Sequence, residues 1–140
     1  MTDARLAELE DEFSFLDDWE ERYRHVIDLG RALVPLDDSE RVDAAKVRGC
    51  ASQVWLVSEV TEGLIGFRGQ SDAAIVQGLL AILLRLYSGR PASEIVALDA
   101  ASAFASLGLG EALSPQRSNG LKAMALRIRE VAMDVEAGAA

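Results

Sequence analysis

Residues Asp72 to Leu86 constrain the fold more than any other segment, because they read as a helix with apolar residues on nearly every side, interrupted mainly by Gln77. A surface helix keeps a polar face. This one must lie inside the domain, with the other elements arranged around it. Ser71 stands where it can cap the helix start. The apolar stretch within it, Ala73 to Leu84, is too short to cross a bilayer, which takes about 20 residues. A chain of 140 residues with 50% hydrophobic and 26% charged residues has globular composition and is long enough for one core. Residues 1–140 therefore read as a single domain.

The flanking segments supply what such a helix needs. Trp19, Tyr23, Val26, Ile27, Leu33 and Val34 follow the spacing of an amphipathic helix, with Asp17 or Asp18 as a cap and Pro35 at its close. Asp37 to Lys46 is polar and reads as loop. Val54–Val57 and Leu64–Phe67 are short apolar runs on either side of Thr61-Glu62-Gly63. That pattern predicts an antiparallel hairpin, with Val47 leading into the first strand and Gly69 ending the second. Pro91 opens a short helix over Ser93–Leu98, and Gly108 and Gly110 break the helix after it. A last helix starts near Pro115 or Ser118, with Leu121, Met124, Ala125, Ile128, Val131, Ala132 and Val135 on its apolar face. The expected fold is α+β, a small antiparallel sheet packed against helices.

Charge and cysteine content narrow the function. Net charge is −9, and the whole excess lies in residues 1–40, which hold 13 acids against 4 arginines, while residues 41–140 hold 10 of each sign. Such a front end offers no basic face to a phosphate backbone, so nucleic acid is not an expected partner. It reads as an acidic, solvated segment, or as a docking surface for a basic partner. The opening MTDARLAELEDEF is acidic where a secretory signal is basic and then apolar, so neither export nor membrane insertion is expected. One cysteine and one histidine supply neither a disulfide nor a zinc site. The expected setting is cytoplasmic, with no metal or cofactor of the protein's own; a monomer is the default.

The chemistry concentrates in Val47-Arg48-Gly49-Cys50-Ala51-Ser52-Gln53-Val54-Trp55. Gly49 permits a turn and removes a side chain beside the sulfur. Between Ala44 and Ser58 there is no acid, while Lys46 and Arg48 are cationic, a setting that favours thiolate, the nucleophilic form. Local chemistry alone leaves two readings open, a reactive cysteine or a small buried apolar residue. Other chemistries lack their motifs. A cysteine–histidine hydrolase requires Cys50 beside His25, which sits in an ordinary amphipathic helix as a surface or boundary residue. The glycines Gly63, Gly66 and Gly69 lack the G-K-[ST] ending of a phosphate loop, and there is no G-x-S-x-G elbow.

The Cys50 segment resembles the V-x-G-C-x-S-x-V-W signature of the SufE-like sulfur-acceptor family of iron–sulfur metabolism. Similarity continues through Trp19–Arg24 with Leu29-Gly30, Gly69 with Ser71–Val76 and Gly78-Leu79, then Pro91, Glu94-Ile95 and Asp99, and finally Leu113–Leu121 with Met124. It spans roughly residues 13–133. Ala51, where polar residues are common in the family, is a mild departure.

This resemblance implies a fold of the IscU/SufE type and a role as sulfur acceptor. In such a role Cys50 takes sulfane sulfur as a persulfide from a cysteine desulfurase of SufS or CsdA type, whose own cofactor is pyridoxal phosphate. It then hands the sulfur to a downstream SufBCD-type scaffold. A scaffold role for this chain is excluded by its single cysteine, since a cluster takes about four thiolates. Arg117, which matches an arginine of the family motif, is a candidate for stabilising the persulfide or contacting the desulfurase; its alternative is a cap or surface ion pair. Gly49 and Asp72 are secondary candidates, the latter expected to complement the helix dipole after Ser71. Trp55 is expected either to shelter Cys50 or to serve as ordinary core. Alternatives to carriage are allosteric activation of a desulfurase without holding sulfur, a persulfide relay to another thiolation pathway, and a redox sensor built on Cys50.

Overall fold

In a computed structural model, residues 3–109 and 114–138 are described; Gly110, read as a helix breaker, and Leu113 of the last motif lie outside them. The described residues form helices α1 (Ala4–Ser14), α2 (Trp19–Arg31), α3 (Ala74–Tyr87), α4 (Ala92–Ala97), α5 (Ala100–Ser106) and α6 (Pro115–Glu136), with strands β1 (Val54–Thr61) and β2 (Leu64–Ser71) between α2 and α3. The architecture is α+β, a two-stranded antiparallel sheet against helices.

Helix α3 is the centre, as its composition demands. Leu79, Leu80, Ile82, Leu83 and Leu86 are all essentially inaccessible. Its main polar interruption is put to use. Gln77 donates from Nε2 to the Gly30 carbonyl at 3.3 Å and accepts from the Ser71 N–H at 2.7 Å, joining α2 and β2 to the buried helix. Helix α2 lies directly on α3 at Gly30 and Gly78, where a Cβ on Gly30 would come within 2.7 Å of the Gly78 nitrogen. The two helices touch through main chain, which only glycine permits there.

The hairpin pairs Val54 with Ser71 through Thr61 with Leu64, around Glu62 (φ +52°) and Gly63 (φ +81°). Both turn residues are left-handed, the two-residue geometry that matches strand twist. The expected stop at Gly69 is corrected: β2 continues to Ser71, because Leu56 opposite Gly69 and Val54 opposite Ser71 still have partners to pair with. The helix therefore begins at Ala74 with no side-chain cap, and Ser71 ends a strand, its Oγ accepting from the Ala73 N–H at 3.3 Å. Val47 does not lead into β1 but lies across from it, its N–H donating to the Val54 carbonyl at 2.8 Å. The polar stretch before it contains two short 3₁₀ turns, Asp38–Glu40 and Asp43–Ala45.

The acidic front end is corrected too. It carries α1, capped by Asp3, with Leu9 and Phe13 buried in the core. Its acids find cations from the interior. Asp3 pairs with Arg90 at 2.7 Å, Arg85 pairs with Glu12, and the Arg5 guanidinium donates to the Ser88 carbonyl at 2.6 Å beyond the end of α3. The charge count concealed the helix because Leu6, Leu9 and Phe13 occupy one narrow stripe among the acids. Among the described residues no helix is long and apolar enough to cross a membrane.

Candidate functional site

Residues 48–53 form a tight excursion between the facing pairs Lys46–Trp55 and Val47–Val54. Gly49 turns it at φ +90°, a conformation that disfavours any side chain. Three ties hold the excursion down. The Asp72 carboxylate accepts from the Gln53 N–H at 3.0 Å and from Gln53 Nε2 at 3.3 Å, while the Asp72 N–H donates to the Gln53 carbonyl at 3.2 Å. Gly49 rests against Ala123 of α6. The Arg127 guanidinium, one turn further along α6, donates to the Ala44 and Lys46 carbonyls at 3.2 and 3.4 Å.

Cys50 is half-buried beneath this loop, packed against the core and with its S–H donating to the Gly120 carbonyl at 3.7 Å. It borders a recess of about 310 Å³. The walls are Ile75, Val76 and Leu79 of α3 with Leu121 and Met124 of α6, and Ser52, Gln116 and Arg117 form the polar side. Burial pushes the Cys50 thiol above its ordinary range. Lys46 and Arg48 had been expected to favour thiolate, but neither lines the recess, and Arg48 is exposed. Desolvation, which penalises the charged form, prevails.

The other expected residues divide. Arg117 lines the same recess and reaches across to α2, with Nη2 3.4 Å from the Tyr23 hydroxyl and its guanidinium 5.6 Å from the Tyr23 ring centre. It forms neither the cap, which is Ser114, nor an ion pair among the described residues. Asp72 stands two residues before α3, and its carboxylate clamps the cysteine loop. Trp55 does not shelter Cys50. Alternation along β1 points Val54 and Leu56 inward and leaves Trp55 half-exposed on the other face, so α3 and α6 supply the cover instead. His25 belongs elsewhere, its Nε2 3.1 Å from Glu12 and its ring edge-on to Phe13 on α1.

Gln53, Gly120, Ala123 and Arg127 are site residues that the sequence reading missed. The last three recur at i, i+3 and i+7, one face of α6. No group of three or more His, Cys, Asp or Glu side chains suited to a metal occurs among the described residues.

The fold and site together define a small α+β protein that presents one half-buried cysteine on a clamped loop. The pattern of the SufE domain, described as Fe-S metabolism associated, matches residues 7–132, and the chain belongs to the SufE family. It is 56% identical over 133 residues to an uncharacterized SufE-like protein of Rhizobium etli, covering 92% of this chain and 90% of that one. It is 50% identical over 131 residues to another from Rhizobium meliloti, covering 91% and 94%. The solution structure of a hypothetical protein from Thermus thermophilus superposes with a TM-score of 0.79 at 19% identity, over 98% of this chain and 99% of that one, a likeness of fold. The chain thus has a sulfur-related role in iron–sulfur metabolism.

Proposed function

We propose that the protein is a sulfur acceptor that stimulates a cysteine desulfurase and carries persulfide sulfur on Cys50 toward iron–sulfur cluster assembly. The observation that carries this reading is the half-buried Cys50 sulfur beside a recess of about 310 Å³ with an apolar wall and a polar side. A hydrolytic cysteine needs a base in hydrogen-bond reach; among the described residues no histidine or carboxylate lines this recess. A carrier needs instead a nucleophile, room for one more sulfur, and cover from water and oxidants.

The exchange balances as an attack on a sulfane sulfur. Cys50 sulfur bonds to the terminal sulfur of the donor's cysteine persulfide, the donor's S–S bond breaks, and its electron pair leaves with the donor cysteine sulfur. The Cys50 proton passes to that departing thiolate, with no net oxidation. Such exchange is governed by thiolate fraction, access and the leaving group. The raised thiol makes Cys50 a slow nucleophile while seated, so the loop must be drawn out by the donor. With a single cysteine in the chain, no neighbouring thiol resolves the loaded form to an internal disulfide. Arg117 on the polar side of the recess offers the anion a counter-charge. The pyridoxal phosphate of the reaction belongs to the desulfurase, of SufS or CsdA type, and the onward acceptor is a SufBCD-type scaffold. A lone reduced thiol suits the cytoplasm.

Intact mass after incubation with a desulfurase, pyridoxal phosphate and cysteine tests this. A reductant-sensitive gain of one sulfur, absent in Cys50→Ala, is expected. Full stimulation of the desulfurase by Cys50→Ser would overturn carriage in favour of allosteric activation.

A further inference from the structure

From Pro115 to Arg129, α6 carries Arg117, Lys122, Arg127 and Arg129 and no acid, in a chain of net charge −9. Arg117 lines the sulfur recess, and Arg127 is engaged by the Ala44 and Lys46 carbonyls. Lys122 and Arg129 face elsewhere. Seven residues apart, and so about 10 Å along one side of the helix, they border a groove of about 550 Å³ between α6 and the α4–α5 corner. This groove is larger than the sulfur recess and divided from it by Leu121, which lines both.

Its floor is Tyr87, Phe104 and Leu121, all buried, and its sides are Val96, Leu98 and Leu126. The Tyr87 hydroxyl donates to the Leu98 carbonyl at 3.0 Å, so the floor already has its polar group paired. Leu126 is 57% exposed, a large apolar side chain held in water at the lip. Cavities of about 300–1,000 Å³ with apolar walls and a few placed polar groups are the common form of small-molecule sites.

The charges on the rim do not cancel. The Asp99 carboxylate accepts from the Ser102 hydroxyl at 2.8 Å and from the Ala101 N–H at 3.0 Å, and Arg129 adds an attraction, so this acid is already supplied with partners. Lys122 forms no ion pair among the described residues. Ser118, one turn earlier on the same side of α6, lines the groove with it and adds a hydroxyl. An uncompensated cation beside an apolar trough complements an anion with an apolar body. A bare inorganic anion would leave the trough wet, and a neutral hydrocarbon would leave the cation without a partner.

We propose that this groove binds a free amphipathic carboxylate, its head at Lys122 and Ser118 and its hydrocarbon body over Tyr87, Phe104 and Leu121. The site stands apart from the sulfur chemistry and does not depend on Cys50 carrying a persulfide.

Titration of the full chain with decanoate tests this, by calorimetry and by the amide shifts of ¹⁵N-labelled protein. Saturable one-to-one binding with a Kd below about 1 mM is expected, with the largest shifts in residues 96–101 and 118–129. Acetate, which has the head without the body, should produce no saturable shift. Lys122→Glu should weaken decanoate binding about tenfold, roughly threefold for the lost attraction and threefold for the new repulsion. Arg24→Glu, an exposed site on α2, changes the net charge equally and should bind as wild type does. Equal weakening in the two variants would assign the attraction to net charge and overturn the proposal. Shifts scattered over the surface, or no saturation, would overturn it as well.

Discussion

Removing the Asp72 carboxylate should free the cysteine loop without unfolding the protein. The carboxylate takes two donors from Gln53, at 3.0 and 3.3 Å. A buried charge-assisted hydrogen bond contributes about 1.5–3 kcal/mol. Asp72 is exposed, so solvent and salt reduce the pair to about 1 kcal/mol. That amount multiplies the open-loop population about fivefold. The backbone bond from the Asp72 N–H to the Gln53 carbonyl survives substitution and keeps the strand ends in register. Iodoacetamide alkylation of Cys50 reports the open population when opening is fast relative to reaction. Asp72→Ala should react about fivefold faster than wild type, and Asp72→Asn, whose amide oxygen still accepts from the Gln53 N–H, should fall between them. Because the change is local, the thermal midpoint should drop by no more than about 4 °C. Identical alkylation rates in all three proteins would refute the clamp, as would acceleration only in step with global destabilisation.

The other expectations concern the frame and its charges. Leu9→Ala, at a fully buried position of α1, should cost about 2–4 kcal/mol in urea unfolding, whereas a merely solvated front end would cost almost nothing. Gly78→Ala drives a methyl into Val26 and should cost about 3 kcal/mol or prevent folding, while Gly66→Ala, whose Cβ would meet only the Glu59 carbonyl at 3.7 Å, should be close to neutral; thermal denaturation separates them. The Cys50 thiol lies above its ordinary range through burial. Folding therefore favours its protonated form, a contribution present below the unfolded pKa and lost as pH rises through the folded one. The alkylation pH profile should shift down when the protein is unfolded in guanidinium. Hydrogen bonds from Arg90 and Arg85 hold Asp3 and Glu12 below their ordinary values of 3.8 and 4.5. Their stabilisation is present above those values and fades as pH falls below them, so Glu12→Gln should lose less stability than wild type between about pH 6 and pH 3.

What the sequence displayed was whatever a period or a composition could encode. The all-apolar run of α3, the glycine turn at Glu62-Gly63 and the apolar face of α6 each announce one geometry, and the structure adopts all of them. The loop position of Cys50 was likewise visible beside Gly49, while local chemistry left a reactive and a buried reading of its sulfur open. The misreadings share a cause, which is that pairing across the chain is invisible in a window. Asp72 beside a helix start reads as a dipole partner, and its clamp on the cysteine loop shows only when Gln53, nineteen residues earlier, is brought against it. Lys46 and Arg48 look like activators of the thiol until the loop turns the sulfur inward and leaves them outside. The acids of α1 dominate a charge count, and only the docked helix reveals Leu9 and Phe13 underneath.

The main-chain contact between Gly30 and Gly78 has a mechanical consequence. Two helices separated by side chains can drift apart or together as those side chains repack, but helices touching through backbone have no such slack. The pair α2–α3 is therefore a stiff chassis. Tyr23 on one member anchors Arg117, and Ile75 and Leu79 on the other wall the sulfur recess, so these two borders keep a fixed gauge. The other wall of the recess, α6, packs against the short α4, so changes of core volume elsewhere reach the sulfur site through that wall and not through the α2–α3 pair.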